Sequence, residues 1–181
     1  IVDSRVSFYE ARGQLQLYIN LVQPSGIGEK QLELEKVRLQ LEREGLFDES
    51  RKRSIPPFPE RIGIITSPFG AVWHDIQNII KRRYPVTELI LAPAKVQGEE
   101  AEKSIIHALN QLQDYKSIDV IIIARGGGAA EELAPFNQES VARAIYKSIP
   151  PIITGIGHET DYTLSDMVAD VRAPTPSTAQ S

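Results

Sequence analysis

The 181 residues, 41% apolar and 24% charged, have the composition of an ordinary globular protein with one sizeable core. The absence of cysteine excludes disulfides, thiolate metal sites and a cysteine nucleophile, and suits a reducing cytoplasm. A formal charge of −4 argues against a protein that coats nucleic acid with a generally basic surface.

No apolar run is long enough to span a membrane and nothing at the start resembles a signal peptide. The first residue is Ile1 rather than Met, so a piece of a longer protein is expected. Residues 6–9 and 14–21 alternate polar and apolar side chains with the period of half-buried strands, and Ala11-Arg12-Gly13 between them suits a hairpin turn. Two strands make no stable domain, so residues 1–23 are read as the tail of a β-rich domain. Residues 28–44 set Leu32, Leu34, Val37, Leu39 and Leu41 among Glu, Lys and Arg and end in Gly45, which predicts a charged amphipathic helix. Pro56, Pro57 and Pro59 then stop any helix and suggest a stiff linker. The domains expected are therefore 1–23, a linker over 24–58, and a core over 59–181. The basic clusters Arg51-Lys52-Arg53 and Lys81-Arg82-Arg83 are read as solvated loop or helix ends.

From residue 59 onward apolar runs alternate with helical patterns. Strands are expected over 61–66, 87–91, 118–124 and 151–155, and helices over 71–83, 98–115, 138–147 and 163–169. Alternation of this kind predicts an α/β fold, an open and mainly parallel four-stranded sheet with flanking helices. The first and third of these strands are expected at its centre. The third, IDVIIIA, runs into Arg125 and then Gly126, Gly127 and Gly128. Glycine takes left-handed or crowded conformations at low cost, so the turn can lay backbone amides bare, and an Arg beside it offers a planar charged fork suited to phosphate. A tight strand-to-helix turn with a surface Arg is the plainer alternative.

In a parallel sheet all C-terminal strand ends share one edge. That edge gathers Thr66 and Ser67, Arg125 with its glycines, and Gly155, Gly157 and His158, followed by Glu159, Thr160 and Asp161; Asp75 lies one turn into the first helix of the core. This set suits attack on a phosphodiester. Ser67, Gly126, Gly127, Gly128 and Gly157 would bind phosphate, and Arg125 would stabilise charge on its oxygens. His158 would move a proton, and Asp161 or Asp75 would orient it, position water or bind a divalent ion. Plainer roles stay open: Asp75 can complement a helix dipole, and Asp161 with Thr160 can cap the last helix. His74 and His107 are expected at the surface. A non-catalytic phosphate- or nucleotide-binding module is the alternative from another class.

RGGG at 125–128 with the following EELAPFN, and GIGHETDYTLSDMVADVRAPTPSTAQS at 155–181, closely resemble the large-subunit family of bacterial exodeoxyribonuclease VII. IGIITSPFGAVWHDI at 62–76 and the PxGxGEKQLELEKVRLQLEREGLFD pattern over 24–48 are similar to the same family. The resemblance covers essentially the whole chain. It implies a cytoplasmic DNA-repair exonuclease that degrades single-stranded DNA from both ends to short oligonucleotides, working with several copies of a small helical subunit. It also implies that residues 1–23 close an N-terminal OB-fold domain, which would hold single strands by stacking and backbone charge. The family's catalytic residues fall on Asp75, Arg125, His158 and Asp161. No cofactor is expected to be required, with Mg²⁺ at most a weak stimulator, Asp75 and Asp161 being its candidate ligands. The sequence departs from the family pattern at Phe69, where a small hydroxyl residue is usual. Ala129, Glu132 and Ala134 likewise stand where Ser, Asp and Trp are common. A scaffold for the small subunit is a further alternative.

Overall fold

Short runs rich in Ile, Val, Leu and Ala build the larger of two sheets. The computed structural model describes residues 2–9, 14–22, 27–115, 117–127, 130–157 and 161–173. The chain divides into two compact units, Ile1–Gln40 and Leu41–Ser181.

In the first unit β1 (Val2–Tyr9) pairs antiparallel with β2 (Gln14–Val22), from Val2 opposite Val22 to Tyr9 opposite Gln14, with a bulge between Asp3 and Ser4. The first strand thus starts earlier than its alternation shows, while the expected turn at Ala11-Arg12-Gly13 lies outside the described residues. Helix α1 (Ile27–Arg43) carries an exposed Glu35–Arg38 ion pair of 2.8 Å. The division between units falls in its last turn, at Gln40. Gly45 closes the helix with φ +78°, and the N–H groups of Gly45 and Leu46 donate to the carbonyls of Glu42 and Leu41 at 2.9 and 3.0 Å. A Cβ at Gly45 would stand 2.8 Å from an Asp48 carboxylate oxygen, which can swing away, so it is the left-handed conformation that favours glycine.

The second unit is a five-stranded, wholly parallel sheet. Its strands are β3 (Arg61–Thr66), β4 (Glu88–Pro93), β5 (Val120–Ala124), β6 (Ile152–Gly155) and β7 (Val171–Arg172), in the spatial order β4-β3-β5-β6-β7. The α/β class, the parallel sheet and the central β3 and β5 agree with expectation; the strand count does not. β7 has two residues, too few for a periodic signal. The helices are α2 (Ala71–Arg83), α3 (Ala101–Asp114), α4 (Glu139–Tyr146) and α5 (Leu164–Val168). Helix α2 lays Val72, Ile76 and Ile80 on Ile62, Ile64, Val120, Ile122 and Ile153. The other helices pack side by side, α3 on α4 and α4 on α5, with α3 also against β3 and β4. Both faces of the parallel sheet are thereby covered, as its apolar strands require.

Residues 46–55 are anchored to this unit by two arginines. Arg51 donates from Nε to the Leu46 carbonyl at 2.6 Å and from Nη2 to the Val168 carbonyl. Arg53 grips Asp170 through Nε and Nη2 at 3.0 and 2.8 Å, and its Nη1 donates to the carbonyls of Ser148 and Ile149 at 2.7 and 2.5 Å. Asp170 also accepts the backbone N–H groups of Arg53 and Ile152, at 2.8 and 2.7 Å. The cluster read as solvated is therefore a clamp, with only Lys52 paired outward to Glu49. His74 and His107 are exposed, as expected.

Candidate functional site

The chain runs from β3 outward to β4, then crosses back to place β5 on the other side of β3. At such a reversal the connecting segments after neighbouring strands part to opposite faces, leaving a crevice outside the strands' carboxyl ends. Here that crevice lies between Thr66-Ser67 after β3 and Arg125-Gly126-Gly127 after β5.

Ser67 opens a tight turn in which the Gly70 N–H donates to the Ser67 carbonyl at 3.2 Å, and Gly70 then caps α2. The N-terminus of α2 thus points toward the rim. A Cβ at Gly126 would lie 3.5 Å from a Val72 methyl, so the glycine turn abuts the first turn of α2. On the other side, the Arg125 N–H donates to the Gly155 carbonyl at 3.1 Å, continuing the ladder between β5 and β6. Arg125 is 3% exposed, and its Nη2 pairs with the carboxylate of Glu132, which is half-buried. Arginine at this depth needs a partner, and Glu132 sets the orientation of the fork.

Neither Gly126 nor Gly127 adopts the left-handed conformation. A Cβ at Gly127 would find no atom of the described residues within 4 Å. Packing among the described residues therefore does not require glycine there. Gly128 lies outside the described residues.

Gly157 is different. A Cβ there would be 2.7 Å from the Asp161 carbonyl oxygen and 3.1 Å from its Cβ, so the loop between them closes only over glycine. This contact brings the half-buried Asp161 back onto the end of β6. His158 lies between them and, with Glu159 and Thr160, outside the described residues. The cap of α5 is not Thr160 with Asp161. Thr163 takes that role, its Oγ1 accepting the Asp166 N–H at 3.2 Å while Asp166 Oδ2 accepts the Thr163 N–H at 3.0 Å. The Thr163-x-x-Asp166 spacing resembles the capping-box pattern and was legible in the sequence.

Asp75 is exposed and is the fifth residue of α2. It lies beyond the first turn, where the helix dipole is felt most, so that plainer role explains it poorly. The rim thus gathers Ser67, Arg125, Gly126, Gly127, Gly157 and Asp161, with Asp75 set back along α2. Among the described residues, no group of three or more His, Asp or Glu side chains has metal-holding geometry.

Two connections lock the rim loops together, and sequence reasoning missed both. Asn137 Oδ1 accepts the Leu164 N–H at 3.0 Å, and Ser165 Oγ donates to the Phe136 carbonyl at 2.8 Å. The Phe136 side chain is fully buried. The 3-10 segment Ala130–Asn137 after the glycine turn is in this way stapled to α5, which follows the Asp161 loop. Away from the rim, an apolar cavity of about 550 Å³ lies between the proline segment and the sheet, lined by Ile55, Phe58, Ile62, Ile122 and Val171. It carries none of the rim's polar groups.

A family model described as exonuclease VII, large subunit, matches residues 46–181. Exodeoxyribonuclease 7 large subunits of Bacillus thuringiensis (strain Al Hakam) and Bacillus anthracis (strain A0248) are each 51% identical over 179 residues, 99% of this chain and 40% of theirs. The chain therefore spans about 40% of the length of the curated relatives it matches. Among solved structures, a lysine decarboxylase of Francisella novicida aligns with a TM-score of 0.36 and 11% identity, over 66% of this chain and 16% of that one. That likeness is too slight to bear on the site.

Proposed function

The chain belongs to the exonuclease VII large-subunit family, and on that premise we propose that it carries the catalytic core of a single-strand-specific exodeoxyribonuclease. The whole protein would hydrolyse phosphodiesters of single-stranded DNA from both ends to short oligonucleotides, in the cytoplasm and together with several copies of the small subunit. The observation that carries this reading is the open glycine turn. Arg125 and the turn lie at the reversal of strand order, and Gly127 lacks a side chain that the described residues would accommodate. Close approach of a ligand oxygen to the backbone accounts for both.

In this mechanism the amides of Gly126, Gly127 and Gly128, with Ser67 and Gly157, hold the scissile phosphate, and Arg125 stabilises the charge that builds on its oxygens. Water attacks phosphorus, the bond to the leaving oxygen breaks, and His158 moves the proton between them. Asp161 orients the imidazole, and Asp75 orients the water. Hydrolysis of this kind is metal-independent or weakly stimulated by Mg²⁺. Two carboxylates with retained waters suit that ion, so Asp75 and Asp161 would hold it, and it would add positive charge beside the phosphate.

The test is digestion of end-labelled single-stranded DNA, with duplex as control, in EDTA and in Mg²⁺. It uses the full-length protein assembled with its small subunit, and a His158→Ala variant. Single-strand cleavage in EDTA that vanishes in the variant is the expected result. Cleavage only with Mg²⁺ would make the ion a requirement, with Asp75 and Asp161 as its candidate ligands. No cleavage under either condition by a folded assembly would leave a binding module.

A further inference from the structure

Phe69 sits third in the turn from Ser67 to Gly70 and is 95% exposed. A ring so placed gains nothing from burial and adds nothing to the core. The turn is closed by the Gly70 N–H donating to the Ser67 carbonyl at 3.2 Å, and nothing in it needs an aromatic group. Across β5, Tyr162 is 60% exposed, and the Arg172 guanidinium lies 3.8 Å from its ring centroid. Arg172 Nε is in turn 3.9 Å from the buried Asp166 carboxylate. One face of the tyrosine ring is thus backed by a fixed cation, which holds the ring in place.

These two rings follow the carboxyl ends of β3 and β6, the strands on either side of β5. Two strand spacings separate those ends, about 10 Å, with Arg125 and the glycine turn between them. We propose that Phe69, with Tyr162 on the opposite flank, is a base-stacking platform that holds unpaired nucleotides beside the scissile phosphate, a grip this chain adds where its family usually has a small hydroxyl residue. This rests on the nuclease reading above and adds a base contact to its rim. Unpaired bases expose π faces to a flat ring whatever their sequence, whereas bases inside a duplex are already stacked. The contact therefore favours unpaired bases and is indifferent to sequence.

The test uses the full-length protein assembled with its small subunit, as wild type, Phe69→Ala and Phe69→Trp. The substrates are end-labelled single-stranded DNA and a strand of equal length whose terminal nucleotides are abasic. Stacking predicts that Phe69→Ala raises KM for the normal strand about tenfold while kcat stays within about twofold, as expected for loss of uniform binding. Phe69→Trp should restore KM, and the abasic strand should not distinguish the three proteins. An unchanged KM in Phe69→Ala beside an active wild type overturns the platform and leaves the nuclease reading standing. An equal loss on the abasic strand also overturns it, since the contact would not be to a base. Failure of Phe69→Ala to assemble, seen by sedimentation, overturns it in favour of a protein contact. An inactive wild type removes the nuclease reading, and the platform with it.

Discussion

Two glycines on the rim separate packing from function. At Gly157 a methyl group would meet the Asp161 carbonyl oxygen at 2.7 Å, whereas at Gly127 it would meet no atom of the described residues within 4 Å. Gly127→Ala should therefore leave the denaturation midpoint unchanged or slightly higher, by less than about 1 kcal/mol, because alanine narrows the unfolded ensemble. Its initial cleavage rate should nonetheless fall at least about tenfold, a barrier increase near 1.4 kcal/mol, because the methyl group occupies the space of the phosphate. Gly157→Ala should lower both stability and rate, since the loop bearing Asp161 must shift. Full activity in Gly127→Ala would show that no substrate atom approaches that turn. Arg125 and its glycines were legible because a buried apolar run breaks off abruptly into residues of opposite character. Glu132 was not, because nothing local distinguishes a carboxylate that returns to Arg125 from one of several glutamates on a surface.

The segment over 46–55 shows how an element can be hidden from sequence. The prolines that follow it, Pro56, Pro57 and Pro59, suggest a stiff linker, yet Arg53 is bound to Asp170, 117 positions away, and no local pattern encodes a contact so distant. The helices, in contrast, were legible from their apolar stripes, and α2 begins and ends where its pattern does. Burial alone would raise the Asp170 carboxyl, but hydrogen bonds from the Arg53 side chain and backbone and from the Ile152 N–H outweigh it and hold the group below the ordinary carboxylate range. A carboxylate with a depressed folded-state pKa contributes stability above its unfolded value, about 3.9, and loses it as pH falls through the folded value. Arg53→Ala should cost about 2–4 kcal/mol at pH 7, since it leaves a buried charge uncompensated. Without the arginine, desolvation favours the neutral acid, so the difference from wild type should shrink as pH is lowered from 7 toward 3. Urea denaturation of both proteins across that range measures it. A difference independent of pH would mean that the arginine acts only through its carbonyl contacts at Ser148 and Ile149.

Across the whole α/β unit, the polarity of the sheet determines where charge can act. Helix α2 starts at the rim and its 13 residues carry the chain about 20 Å away. Lys81, Arg82 and Arg83, all exposed in its last turn, therefore stand at the opposite end, where they complement the helix C-terminus. Arg51 and Arg53 are engaged in the clamp. Both basic clusters of the sequence thus lie elsewhere than the rim, in a chain with a formal charge of −4. A single strand held at this rim would be bound mainly by Arg125, backbone amides and stacking, with one or two phosphates neutralised. For single strands the logarithm of affinity falls by about 0.7 per neutralised phosphate for each decade of salt. Binding of a short fluorescent single strand by this chain should accordingly weaken less than about tenfold between roughly 50 and 200 mM salt, as read by fluorescence anisotropy. Stacking and amide contacts release no counterions, so the residual affinity should persist at the upper end of that range. A logarithmic slope steeper than about −3 would require at least four neutralised phosphates. That result would require basic residues beyond the rim on the path of the strand, and loss of the extra slope on replacing Lys81, Arg82 and Arg83 would extend the binding surface along the length of α2.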